Sequence, residues 1–155
     1  DVIQISQREG TPITGSALVH YYSSDAMDAT IEQAGTLEAG SYTISGNVCG
    51  GSSQVYFKVF DGTEEIGAED IEKVTPTAWD TYIPFQRSFT LSENSTDVTI
   101  QIVAQMEDGG YGNIDDVSLT NADPKSGLLT AINNAEAVVS ANYTAESYAL
   151  VTAKL

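Results

Sequence analysis

Positive charge is the scarcest ingredient of this sequence: 6 lysines and arginines stand against 22 aspartates and glutamates, a net charge of −16 over 155 residues. A field of that sign repels phosphate backbones and anionic membrane surfaces, which argues against nucleic acid and acidic lipid as partners and leaves neutral sugars and cations such as Ca²⁺ compatible. Cysteine is almost as rare. Cys49, the one cysteine, permits neither an internal disulfide nor a thiolate metal cluster, and between Val48 and Gly50 it reads as a small strand residue. His20 is the only histidine, so a histidine-based metal site or a Ser/His/Asp triad has to pass through it. No apolar run approaches the ~18 residues that cross a bilayer. The N-terminus lacks the charged-then-apolar layout of a signal peptide. The expectation is a soluble chain, any export signal having been removed or lying upstream.

What is abundant, from residue 1 to about 120, is Val, Ile, Thr, Tyr and Ser, punctuated by Gly, Asp and Asn clusters at the intervals of strands and turns. In "SYTISGNVC" Tyr42, Ile44 and Val48 alternate with Thr43, Ser45 and Asn47, the period of two of a half-buried strand. "QVYFKVF" separates Val55, Phe57 and Val59 from Tyr56, Lys58 and Phe60, and "DVTIQIVAQ" places Val98, Ile100 and Ile102 inward. With further strands over 2–7, 15–22, 28–36, 83–91 and 113–120, about eight antiparallel strands without alternating helices predict an all-β jelly-roll sandwich over 1–121. After Thr120 the texture changes. Asp123-Pro124 makes a capped helix start, and Leu128, Leu129, Ile132, Ala135, Val138 and Val139 recur at helical spacing. A second helix is expected near Thr144. Residues 122–155 are therefore expected to be a short helical appendage cut from something larger.

Three places carry candidate chemistry. In "DGGYGNIDDVSL", Tyr111 is flanked by Gly109, Gly110 and Gly112, so its ring is either a plug over the end of the sandwich or an exposed platform. Counting back from Leu119 and Val117 puts Asp115 on the core-facing side and Asp116 on the other. A carboxylate at the rim of a core has to be paired, bonded to backbone or bound to a cation, and hard Ca²⁺ takes six to eight oxygens of that kind. The expectation is a structural calcium ion at Asp115, with turn hydrogen bonds as the alternative. In "SALVHYYSS", Leu18, His20 and Tyr22 share one face and Ala17, Val19 and Tyr21 the other. His20 between tyrosines reads as a structural or ligand-contacting residue rather than a catalyst. Trp79, in the loop "TPTAWDTYIPF", is a buried anchor or a ligand contact. No pair among the acidic residues announces an acid and nucleophile of the kind that glycoside hydrolysis needs.

Taken together, "SALVHYYSSDAMDATIEQAGTLEAGSYTISGNVCGG", the loop tryptophan and "GGYGNIDDVSL" resemble carbohydrate-binding modules of the β-sandwich, galactose-binding-like type. The nearest likeness is to family 61, appended to bacterial endo-β-1,4-galactanases. The likeness lies in an S-x-x-L-H-x-Y-S strand (Ser16–Ser23, with one extra residue), an E-Q-x-x-x-L-x-x-G-x-Y segment (Glu32–Tyr42) and a G-G-aromatic-G-x-x-D-D ending (Gly109–Asp116). The resemblance implies a non-catalytic, extracellular module, secreted or attached to a cell surface, that binds β-1,4-galactan or a related plant polysaccharide and holds an attached glycoside hydrolase against it. On this chain His20, Tyr22, Trp79 and Tyr111 would face the sugar. Position 111 is more often tryptophan in such modules. Residues 128–155 resemble the start of a three-helix surface-protein repeat. Modules of this type usually begin with a further strand that pairs with the last one; that strand is absent here, so either it is dispensable or another chain or segment covers an open sheet edge, with self-association one way to do so. The competing expectation is a structural or adhesive surface module with no sugar site.

Overall fold

The computed structural model describes residues 2–6 and 10–122; the helices expected after Asp123 lie outside these residues. The chain divides at Thr120 into two units, and the strands named here belong to the first, the last of them running one residue past the boundary. Among the described residues seven strands form: β1 (Ile3–Ser6), β2 (Leu18–Tyr22), β3 (Met27–Leu37), β4 (Gly40–Asp61), β5 (Glu64–Glu65), β6 (Ile83–Leu91) and β7 (Ser95–Asn121), with one short 3-10 turn at Ala68–Asp70.

Two strands are much longer than their sequence patterns suggest. The segments expected as separate strands at 41–49 and 54–60 are one continuous strand, β4, and those at 97–105 and 113–120 are one strand, β7. On one edge of β7 lie β3, from Met27↔Met106 to Leu37↔Ser95, and β2, from Val19↔Ile114 to Tyr22↔Tyr111, both antiparallel. The register is the same on both sides of the 23–26 gap, so the chain from 19 to 35 follows β7 without a slip. On the other edge lies β4. Thr120 Oγ1 donates to Thr43 O, Ser45 pairs with Ser118 through their hydroxyls, and Gly62 N donates to Asp97 O, so β4 climbs as β7 descends. β6 pairs the first half of β4, Gly40↔Leu91 to Val48↔Ile83, and β5 pairs its end. β1 closes against β2.

Because β4 and β7 both bend, their two halves belong to two layers. One layer runs β1, β2, late β7, early β4, β6; the other runs β3, early β7, late β4, β5. The layers face each other across Phe57 of late β4 and Phe85 of β6, stacked with ring centroids 4.4 Å apart. Around them pack Tyr21, Ile44, Val48, Val55, Ile102, Met106 and Ile114, and burying each large apolar side chain contributes about 1.5–3 kcal/mol. The alternations read from the sequence hold here: Tyr42, Ile44 and Val48 are buried, as are Val55, Phe57 and Val59, and Val98 and Ile102. The fold is an antiparallel all-β sandwich.

β6 carries the exception to an apolar core. Phe85, Arg87, Phe89 and Leu91 all point inward. The guanidinium of Arg87 is satisfied by backbone carbonyls, Nη1 donating to Phe57 O at 2.9 Å and Nη2 to Gly67 O at 2.7 Å and to Ile66 O. Desolvation lowers its pKa, and the nearby carboxylate of Glu65 opposes that shift. The charge thus pins the β5 turn to the sheet.

Candidate functional site

The glycines of "CGGSS" and "DGGYGN" meet where the two long strands pass from one layer to the other. A methyl group added at Gly112 would overlap the Tyr21 hydroxyl and the Cys49 carbonyl, and one at Gly50, whose φ is +144°, would overlap the Tyr111 carbonyl. Only glycine lets the backbones approach this closely. Gly51 is then the seat of Tyr111: a Cβ there would stand 3.1 Å from the tyrosine hydroxyl oxygen and 3.2 Å from the ring. The ring rests on backbone on one side and is half-buried.

Register places the rest. β2 and β7 set His20 opposite Asn113 and Tyr22 opposite Tyr111, and directly opposed residues share a face of the sheet. Tyr21, one step along, faces the core at 0% exposure. The loop after Val74 delivers Trp79: Ala78 O accepts a hydrogen bond from Gly50 N at 2.9 Å, and Pro76 is buried beneath. The indole then touches both neighbours. Its ring centroid is 5.8 Å from that of His20, edge to face at 72°, and 5.5 Å from that of Tyr111 at 43°. His20, Trp79 and Tyr111, drawn from a span of some 90 residues of sequence, form one aromatic surface on the outside of the first layer, with Tyr22, 51% exposed, alongside Tyr111.

Asn113 completes the arrangement, and sequence reasoning missed it. It is fully buried, and His20 Nδ1 lies 2.9 Å from its Oδ1. A carbonyl oxygen only accepts, so Nδ1 donates, and in the neutral form of the imidazole Nε2 is then the acceptor. Asn113 Nδ2 has no partner among the described residues and packs against Gly10. The signal was present in "GNIDD", a polar residue at the register position facing His20, but it takes the strand pairing to see it. Beside it Cys49 is buried, as expected, and its thiol is pushed up by that burial. Tyr82, which donates to Thr11 O at 3.1 Å, is likewise raised by desolvation.

The aspartate pair departs from the sequence reading. Asp115 is not on a core-facing side with Val117 and Leu119. Those two are 45% and 38% exposed, the core residue is Ile114, and Asp116 adopts a φ of +54° that interrupts the alternation. Both carboxylates hold the same loop. Asp115 Oδ2 accepts from Ile13 N at 2.6 Å and Thr14 N at 3.3 Å, its Oδ1 accepts from Asp116 N at 2.8 Å, and Asp116 Oδ1 accepts from the Thr14 hydroxyl. Both oxygens of Asp115 thus accept amide hydrogens. The geometry at Asp115 is that of turn hydrogen bonds, the alternative weighed against calcium.

No family model matches the chain, and no curated protein is similar to it. Solved structures share the fold. A family 61 carbohydrate-binding module in complex with β-1,4-galactotriose superposes with a TM-score of 0.65 at 19% identity, covering 77% of this chain and 82% of that one. A family 35 module from Clostridium thermocellum gives 0.57 at 19% identity, covering 79% and 90%. A family 16 module gives 0.56 at 12%, covering 77% and 86%.

Proposed function

We propose that this chain is a non-catalytic carbohydrate-binding module, extracellular, that binds β-1,4-galactan or a related plant polysaccharide and brings an attached glycoside hydrolase to it. The observation that carries the reading is the cluster of His20, Trp79 and Tyr111 on the outside of the sheet. Aromatic rings offer flat apolar faces to the C–H side of a sugar ring. The Nε2 acceptor of His20 and the phenol of Tyr22 offer partners to its hydroxyls, as small polar groups do in ligand sites generally. The net charge of −16 disfavours nucleobases, the other common ligand of exposed aromatics. The galactotriose bound to a module of the same fold supports the choice of glycan. Retardation in gels containing galactan, against xylan, glucan and mannan as controls, tests it; mobility unchanged in all four sinks it.

A second reading, a structural module that self-associates, draws on a different place. Val117 and Leu119 line an apolar cleft of about 500 Å³ with Ile31, Val98 and Ile100, beyond the point where β2 stops pairing with β7. Concentration-dependent sedimentation that survives Tyr111→Ala favours this reading over the first.

A further inference from the structure

A second cleft, of about 680 Å³, opens on the other side of the β4–β7 crossover and is lined by Ser52, Gln54, Thr75, Gln105, Glu107 and Asp108 among others. Its volume is that of a small-ligand site. It adjoins the aromatic surface through the backbone. Ser52 follows Gly51, on which the Tyr111 ring rests, and a Cβ at Gly110, next to Tyr111, would stand 2.7 Å from Ser52 O.

The cleft mixes polar groups with apolar ones, Ala26 and Met106 among the latter. Two carboxylates, two carboxamides and three hydroxyls line it, and among the described lining residues none is basic. Lys73, close by, donates to Gln105 Oε1 at 2.9 Å and lies 4.6 Å from the centre of the Tyr56 ring, so the Gln105 amide group presents its N–H side as donor. Asp108 spends one oxygen on Ala26 N at 2.9 Å and keeps the other. Donors and acceptors are therefore interleaved over a small area, which suits vicinal hydroxyls, each of them both donor and acceptor. The carboxylates disfavour an anionic ligand.

We infer that this cleft is an extension subsite, taking the neutral sugar units that continue past the one stacked on Trp79 and Tyr111. The inference rests on the carbohydrate-binding reading above. It makes the module a reader of chain interiors several units long, with stacking at one end and hydrogen bonding at the other.

Isothermal titration with β-1,4-galactobiose and β-1,4-galactotetraose separates the two. In the wild-type protein the tetraose should bind about five- to tenfold more tightly than the biose, the worth of one or two added hydrogen bonds. The double variant Gln54→Ala/Gln105→Ala should bind the biose as wild type does and lose that gain. Both side chains reach solvent, and an unchanged melting temperature verifies that the variant folds. A double variant that keeps the full tetraose affinity, or a wild type that gains nothing from the longer chain, overturns the subsite and leaves the aromatic site standing. Trp79→Ala reports on the aromatic site separately, since it should weaken both oligosaccharides. A wild type that binds neither sugar overturns both readings.

Discussion

Trp79, on a loop, and Tyr111, on a strand, meet with ring centroids 5.5 Å apart, and Tyr111 in turn lies on the bare backbone of Gly51. Neither ring is locked into the core, so a truncation removes contact surface without opening a cavity. Trp79→Ala should cost about 2 kcal/mol of galactotriose binding, roughly 30-fold in Kd, the size expected for a central aromatic contact, and leave the melting temperature nearly unchanged. Affinity electrophoresis beside a melting curve checks both halves. Equal loss of stability and binding would mean that the indole is a structural anchor.

Arg87 should behave in the opposite way. Its guanidinium serves the carbonyls of Phe57, Ile66 and Gly67 from a buried position. Arg87→Met leaves these carbonyls without their donor and removes the facing charge 3.9 Å from Glu65 Oε1, at a cost of about 3–5 kcal/mol, read as a lower urea midpoint. Sugar binding by the folded fraction should not change, because the residue lies on β6, away from the aromatic cluster.

High pH should destabilise the fold through Tyr21. Burial pushes its hydroxyl up from 10.0 to about 12, partly offset by the hydrogen bond with Ser53 Oγ at 2.9 Å. The unfolded chain ionises first. The stability this group contributes is whole below pH 10 and is lost as pH rises from 10 toward 12, up to about 3 kcal/mol. Melting temperatures across that window should fall, and less steeply for Tyr21→Phe. Tyr82, Tyr56 and Cys49 shift the same way, so some slope remains in the variant.

A chelator should leave the melting temperature where it was. A cation bound only by the native state raises stability by mass action, and the amide donors at Asp115 take the place of such an ion. Asp115→Ala, by contrast, frees the exposed loop at Ile13–Thr14 and should cost about 0.5–1.5 kcal/mol as its amides lose their acceptor to water. A midpoint that drops on chelation and returns with Ca²⁺ would put an ion back at this end of the sandwich.

The elements legible from sequence were those that local alternation specifies. Val55, Phe57 and Val59 repeat with the period of the pleat, and a strand with one face in the core has little choice of register. Even the single histidine and its tyrosine neighbours could be put on their correct faces. Asp115 was misplaced because counting by twos assumes an unbroken strand, and the positive φ at Asp116 resets the count. The fusion of 41–49 with 54–60 was hidden because "CGGSS" reads as a turn in isolation.

By itself, then, the sequence determined an antiparallel β-sandwich up to about residue 121, the inward residues of most of its strands and a charge that turns away anionic partners, since each of these follows from periodicity or composition. Tertiary structure alone decided that His20, Trp79 and Tyr111 meet, that Asn113 orients the imidazole, and that two aspartates tie down one loop. These depend on which strands lie side by side and on glycines that let two backbones cross, and pairing between residues some 90 positions apart leaves no local trace in the chain.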